Sequence, residues 1–191
     1  TDFMPHSAIC HIAFPPGRTT KGTGFYVAPD LILTAAHVLE DEAGSGKVHI
    51  GRNGQDSAIR TFDIQPADWT IHPLYQTDRR EYDLAVIRVS TPPPHGWFSL
   101  FEQTRSTEEP VIVCGYAARA GDKFKQHLDG DHVRRLSDDA ELMQYNLQTT
   151  GGTSGSPVFI VSAYEDDERR QSVIDWAAFG VHVSAFYDTL N

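Results

Sequence analysis

The sequence has 191 residues, 40% of them apolar: enough for one large domain or two small units sharing a core, and too apolar for intrinsic disorder. With 16 Lys and Arg against 26 Asp and Glu, the formal charge of −10 excludes the basic face that nucleic acid requires and opposes docking on an anionic membrane surface. No apolar run approaches the roughly 20 residues needed to span a bilayer, and two cysteines cannot build a disulfide framework. The start at Thr1 rather than Met implies a processed chain or a piece of a longer one.

Helical periodicity is nearly absent. Short β-branched and aromatic runs recur between Gly, Pro, Asp and Asn, the pattern of an all-β sandwich or barrel. In chain order the expected strands are 8–14, 24–27, 31–34, 48–50, 59–64 and 84–89, then 111–114, 133–136, 142–146, 157–161 and 173–183. Turns are expected at Pro15-Pro16-Gly17, Ala28-Pro29-Asp30, Asn53-Gly54 and Asp129-Gly130. Pro92-Pro93-Pro94 cannot feed a central β ladder, so 93–110 reads as a linker between a unit at 1–92 and one at 111–191. The charged run 165–170 reads as a solvated hairpin tip.

Three segments carry chemistry. In Leu31-Ile32-Leu33-Thr34-Ala35-Ala36-His37, two small residues let the backbone turn and leave an imidazole at a strand end. In Tyr82-Asp83-Leu84-Ala85-Val86-Ile87, an acid stands at the mouth of an apolar strand, where it can orient a histidine. In Thr149-Thr150-Gly151-Gly152-Thr153-Ser154-Gly155-Ser156-Pro157, glycines around a serine permit a turn that aims the N–H groups of Gly152 and Ser154 at one point beside Ser154 Oγ. Taken singly, the histidine also reads as a hydrogen-bonded structural group, the aspartate as a strand cap and the glycine segment as a plain turn. Their joint order, with two before the Pro-rich stretch and one after it, favours catalysis.

These segments resemble the three signatures of chymotrypsin-fold (trypsin-like) serine proteases, over about residues 5–182. The resemblance implies an all-β chain of two antiparallel six-stranded β-barrels with the active site in the cleft between them. It implies His37 as general base, Asp83 as its orienter, Ser154 as nucleophile, and the amides of Gly152 and Ser154 as the oxyanion hole. No metal and no cofactor is implied. The partner is a protein or peptide substrate, and the expected state is a monomer unless the chain belongs to a larger protein.

Thr149 five residues before the serine, and Gly180-Val181-His182 after it, resemble the glutamyl endopeptidase, or V8-like, branch. That likeness implies an acid-binding primary pocket from Thr149 and His182, with Val183, Ser184 and Ala185 pairing with substrate backbone. A hydroxyl donor and an ionisable imidazole suit a carboxylate side chain. Gln148, where tryptic specificity places an acid, offers a cationic side chain no counter-charge. Val183-Ser184-Ala185 departs from the Trp-Gly-Gly of that branch, and Ala185 narrows the expected pocket mouth. The excess of acid is expected to favour a protonated His182. The leading expectation is therefore a Glu- or Asp-preferring serine endopeptidase. The alternatives are the same protease with a small or apolar preference, and a catalytically silent protease-fold binding module. The family resemblance also implies a secreted or extracytoplasmic protein, the alternative being a cytoplasmic domain of a larger one, and a last strand and C-terminal helix beyond Asn191.

Two features are set aside. His127-Leu128-Asp129-Gly130-Asp131-His132 is expected to be a surface hairpin rather than a metal cluster. Cys10 and Cys114, both in apolar contexts, are expected to be buried, as free thiols or as a bridged pair.

Overall fold

The computed structural model describes residues 3–14, 22–55, 57–101, 106–117, 124–137, 141–147, 149–166 and 171–183. Seven strands form the first sheet: β1 (Ile9–Ala13), β2 (Gly22–Ala28), β3 (Leu31–Thr34), β4 (Gly46–Ile50), β5 (Arg60–Ile64), β6 (Trp69–Ile71) and β7 (Ala85–Arg88). Their order is β5-β4-β1-β2-β3-β7-β6, antiparallel throughout. The rest are β8 (Ser99–Leu100), β9 (Pro110–Tyr116), β10 (Gln126–His132), β11 (Arg135–Leu136), β12 (Met143–Gln144), β13 (Pro157–Asp166) and β14 (Gln171–Val181). The second sheet has five strands in the order β10-β9-β13-β14-β8, and β11–β12 form a separate ribbon. Among the described residues the first unit thus carries the seven-stranded sheet and the second the five-stranded sheet with the β11–β12 ribbon, in agreement with the expected two β-barrels. None of the helices among these residues is long and apolar enough to cross a membrane.

Alternation explains the first sheet. In β4, Gly46, Val48 and Ile50 are buried while Lys47 is exposed, the period-two pattern of a half-buried strand. The inner strand β1 departs from it, because its outward residue His11 is covered by the second unit. The His11 ring lies 5.2 Å from Tyr116 and 5.8 Å from Phe124, centroid to centroid. Across the ladder from His11 stands Thr23 of β2, also fully buried. The outer face of β1 and β2 is therefore an inter-unit surface, and the main apolar core runs on into Cys114, Tyr116, Phe159 and Ala178. Val111, Val113, Val133 and Val158 make a smaller satellite core.

Residues 93–101 do more than connect. Phe98 is fully buried, stacks edge-on against Phe25 and Phe159, and donates its N–H to the Tyr26 carbonyl. Immediately after it, β8 pairs in parallel with β14 through Ala177↔Ser99 and Ala178↔Leu100. An aromatic anchor overrides the weak strand propensity of the Pro-rich neighbourhood.

The segment from Gln126 to His132 is a seven-residue strand rather than a hairpin, paired along its whole length with β9. Gly130 lies opposite Ile112 and Asp129 opposite Val113, so Asp129-Gly130 is ladder and not turn. The 165–170 run divides between the end of β13, Glu165 and Asp166, and residues 167–170, which lie outside the described residues, as do Pro15-Pro16-Gly17. Ala28-Pro29-Asp30 leads from β2 into β3, and Gly54 takes a positive φ of 106° between β4 and β5. Cys10 and Cys114 are both buried free thiols.

Candidate active site

β3 runs into a single 3-10 turn over Ala36–Val38, with Ala35 and Ala36 fully buried, which leaves His37 at the strand end. Asp83 closes another short 3-10 turn, Arg80–Tyr82, two residues ahead of β7. β3 and β7 are ladder neighbours, Thr34 opposite Ala85, so the two strand ends bring His37 and Asp83 together. Asp83 Oδ1 accepts the His37 main-chain N–H at 2.9 Å, and Oδ2 lies 2.7 Å from His37 Nδ1. The Asp83 side chain is 8% exposed and that of His37 is 35% exposed. An ionised carboxylate only accepts, so Nδ1 carries the proton and Nε2 presents a lone pair.

Ser154 is half-buried in the loop before β13. Its carbonyl accepts the Thr23 N–H at 2.8 Å, and Gly152 and Gly155 both take positive φ, 94° and 84°. A Cβ on Gly155 would stand 2.0 Å from the Thr23 carbonyl oxygen, 2.3 Å from Thr34 Oγ1 and 3.1 Å from the Ala35 nitrogen. The residue after Ser154 thus seats directly against the segment that ends on His37. Gly22 is likewise wedged between the Val38 side chain and the Ser154 carbonyl. The Thr153 carbonyl accepts from both the N–H and the hydroxyl of Ser156, at 3.0 and 2.6 Å. Among the described residues, the N–H groups of Gly152 and Ser154 have no hydrogen-bond acceptor. They are free to receive developing negative charge.

A cleft of about 1440 Å3 opens between the units. Phe25, Leu33 and Leu84 line it from the first unit; Thr149, His182 and Val183 line it from the second, beside an apolar wall that includes Leu142, Met143 and Phe179. His182 joins the cleft to the serine loop, since its carbonyl accepts the Gly155 N–H at 2.7 Å and its N–H donates to the Ser156 carbonyl at 2.9 Å. Thr149 is half-buried, its N–H turned back on the Leu147 carbonyl. Gln148, Ser184 and Ala185 lie outside the described residues.

His182 corrects one expectation. Burial, and after it the nearby His37, holds its imidazole down at about 4, so the ring is neutral near pH 7 rather than protonated. The overall charge of −10 acts through solvent, whereas the desolvation of a residue only 5% exposed acts locally and outweighs it. Tyr145, not singled out by the sequence, completes this pocket: its hydroxyl lies 2.8 Å from His182 Nδ1. Burial pushes the Tyr145 phenol up, so it keeps its proton and donates, and the neutral His182 ring carries its own proton on Nε2. The pair offers a hydrogen-bond donor without a full charge. A tyrosine five residues ahead of Thr150 carries no local motif, so only the fold discloses it.

Comparison with known proteins agrees with this architecture. The family model described as "Trypsin-like peptidase domain" matches residues 22–163. The chain is 28% identical over 196 residues to a glutamyl endopeptidase of Bacillus licheniformis, covering 98% of this chain and 58% of that protein. It is 37% identical over 70 residues to brachyurin of Leptuca pugilator, covering 36% of this chain and 30% of that protein. It therefore spans less than two thirds of the length of either relative. A solved structure, "Structure of Glu endopeptidase in complex with MPD", superposes with a TM-score of 0.72 at 23% identity, over 93% of this chain and 87% of that one.

Proposed function

The chain belongs to the trypsin-like peptidase family, and on that premise we propose that it is a serine endopeptidase that hydrolyses protein or peptide substrates after Glu. The observation that carries the proposal is the double attachment of Asp83 to His37, with the Ser154 loop packed against the same strand end. In this mechanism His37 Nε2 takes the Ser154 Oγ proton as the oxygen attacks the scissile carbonyl. The tetrahedral oxyanion is received by the amides of Gly152 and Ser154. His37 then returns the proton to the leaving amine. A water, deprotonated in turn by His37, attacks the acyl-enzyme, and His37 passes that proton to the departing Ser154 Oγ as the acid product is released. Asp83 keeps the Nδ1 tautomer and stabilises the imidazolium that forms at each transfer.

The preference for Glu rests on the Thr149, Tyr145 and His182 side of the cleft. A neutral Nε2–H donor and a threonine hydroxyl that line the same cleft can both donate to a carboxylate, and the bound carboxylate raises the affinity of His182 for a proton. The name of the Bacillus relative supports the same reading. The apolar wall of Leu142, Met143 and Phe179 favours a second reading, the same chemistry after apolar residues. Hydrolysis of a matched peptide series with Glu, Asp, Ala, Leu or Phe before the scissile bond separates them. The expected order has Glu fastest; Leu or Phe ahead of Glu by more than about tenfold would replace the acid pocket with an apolar one. Reaction of Ser154 with a fluorophosphonate is expected at neutral pH, and an unreactive serine in folded protein would favour the silent binding module.

A further inference from the structure

Thr23, fully buried in β2, touches none of the groups assigned to bond making, yet it holds the segment that carries them. Its N–H donates to the Ser154 carbonyl at 2.8 Å. Its hydroxyl donates to the Gly152 carbonyl at 2.9 Å while accepting the Tyr116 N–H of β9 at 2.9 Å. Its own carbonyl accepts Thr34 Oγ1 at 2.7 Å. A main-chain N–H only donates, so the bond from Tyr116 occupies a lone pair and directs the single hydroxyl proton onto Gly152. One side chain thereby links β9 of the second unit to the glycine whose amide is proposed to bind the oxyanion.

The consequence is geometric. With the Gly152 and Ser154 carbonyls tied to Thr23 and the Thr153 carbonyl tied to Ser156, three successive carbonyls are held. In a trans peptide the N–H points opposite the carbonyl of the same plane, so the Thr153 carbonyl sets the direction of the Ser154 N–H. The Gly152 carbonyl sets the plane that follows Gly152, at a glycine whose φ of 94° leaves it otherwise free to turn. Preorganised donors stabilise an oxyanion only if they need not reorient during the reaction. We propose that Thr23, through its hydroxyl bridge from the Tyr116 N–H to the Gly152 carbonyl, is a positioning residue that presets the oxyanion-binding loop from the neighbouring unit. This inference rests on the serine endopeptidase reading for its catalytic consequence, but not for the clamp itself.

The test compares Thr23→Val, which keeps the shape and removes the hydroxyl, with Thr23→Ser, which keeps the hydroxyl and removes the methyl. For a Glu peptide substrate, Thr23→Val is expected to lower kcat by about 10–100-fold with KM within about twofold, because the donors still exist but are no longer preset. Thr23→Ser is expected to stay within about threefold of the parent in kcat. Backbone amide exchange of the peptide spanning 149–156 is expected to quicken in Thr23→Val and not in Thr23→Ser. If Thr23→Val does not fold, Thr23→Ala against Thr23→Ser reads the same contrast. Parent-like exchange and kcat in Thr23→Val, or a Thr23→Ser as impaired as Thr23→Val, would overturn the proposal. A parent protein that folds but cuts no peptide of the Glu, Asp, Ala, Leu and Phe series would instead defeat the endopeptidase reading, and the exchange comparison alone would then decide the clamp.

Discussion

Asp83 grips His37 at two points, its Oδ1 on the main-chain N–H at 2.9 Å and its Oδ2 on ring Nδ1 at 2.7 Å. The first bond fixes where the histidine leaves the chain and the second fixes how its ring is turned. Both depend on β3 and β7 ending side by side, so the fold of the first unit and the state of the imidazole are one construction.

Asp83→Asn tests the second bond while preserving shape. An amide can still accept the His37 main-chain N–H through its oxygen, but its NH2 group then faces Nδ1 and demands a lone pair there. The ring proton moves to Nε2, where a general base needs the lone pair. A loss of about 10⁴-fold in kcat at neutral pH is expected, with thermal stability little changed. Steady-state hydrolysis of a Glu peptide beside a melting curve checks both halves, and activity within tenfold of the parent would deny Asp83 the role of fixing the His37 tautomer.

Tyr145→Phe removes the hydroxyl 2.8 Å from His182 Nδ1 and leaves the ring in place. Nothing then holds the proton of His182 on Nε2, so the donor toward a substrate carboxylate is lost part of the time. One hydrogen bond is worth about 1 kcal/mol net, so the preference for Glu over Leu in kcat/KM is expected to fall about fivefold. Cleavage after Leu is expected to be unchanged. Equal losses for both substrates would mean that Tyr145 serves packing alone.

Much of this arrangement is legible in the residues. The strand Leu31–Thr34 is read with its observed bounds because its apolar residues are contiguous and two alanines stop it. His37 and Asp83 are legible because each sits at a strand end marked by its immediate neighbours. The strand Gln126–His132 is not, since most of its residues are polar and its ladder comes wholly from β9. Thr23 and Tyr145 are not legible for a different reason. Thr23 acts on Gly152 across 129 positions and Tyr145 on His182 across 37, separations at which no local pattern marks the pair.

Gly155→Ala tests the close approach behind Ser154. The added methyl would meet main-chain oxygen at 2.0 Å on a backbone with φ of 84°, and neither neighbour is a flexible chain end that could swing aside. A loss of at least about 3 kcal/mol is expected, which lowers Tm by roughly 6–12 °C for a chain of this size. The Thr23–Ser154 hydrogen bond should loosen with it, so any folded fraction should also lose fluorophosphonate reactivity. A variant that melts and reacts like the parent would refute the packing of this loop against Thr23 and Thr34.

Acid should destabilise the protein through imidazoles that the fold shields from water wholly or in part. Burial, reinforced by Arg52, depresses His11 to about 3; burial and then Arg52 depress His49 to about 4; burial and then His37 depress His182 to about 4. In the unfolded chain these groups take up protons near the ordinary imidazole value of about 6.5. Between that value and the depressed ones the unfolded state binds more protons than the folded state, so stability rises with pH across this window. The contribution is complete above about pH 7, is lost progressively as pH falls through 6.5 toward 4, and levels off once the folded-state groups also protonate. The urea midpoint is therefore expected to drop between pH 7.5 and pH 5.5, above the range where ordinary carboxylates begin to titrate. His49→Gln, which removes one of the three, should shrink that drop. A midpoint constant over this interval would mean that these rings meet water as freely in the folded protein as in the unfolded chain.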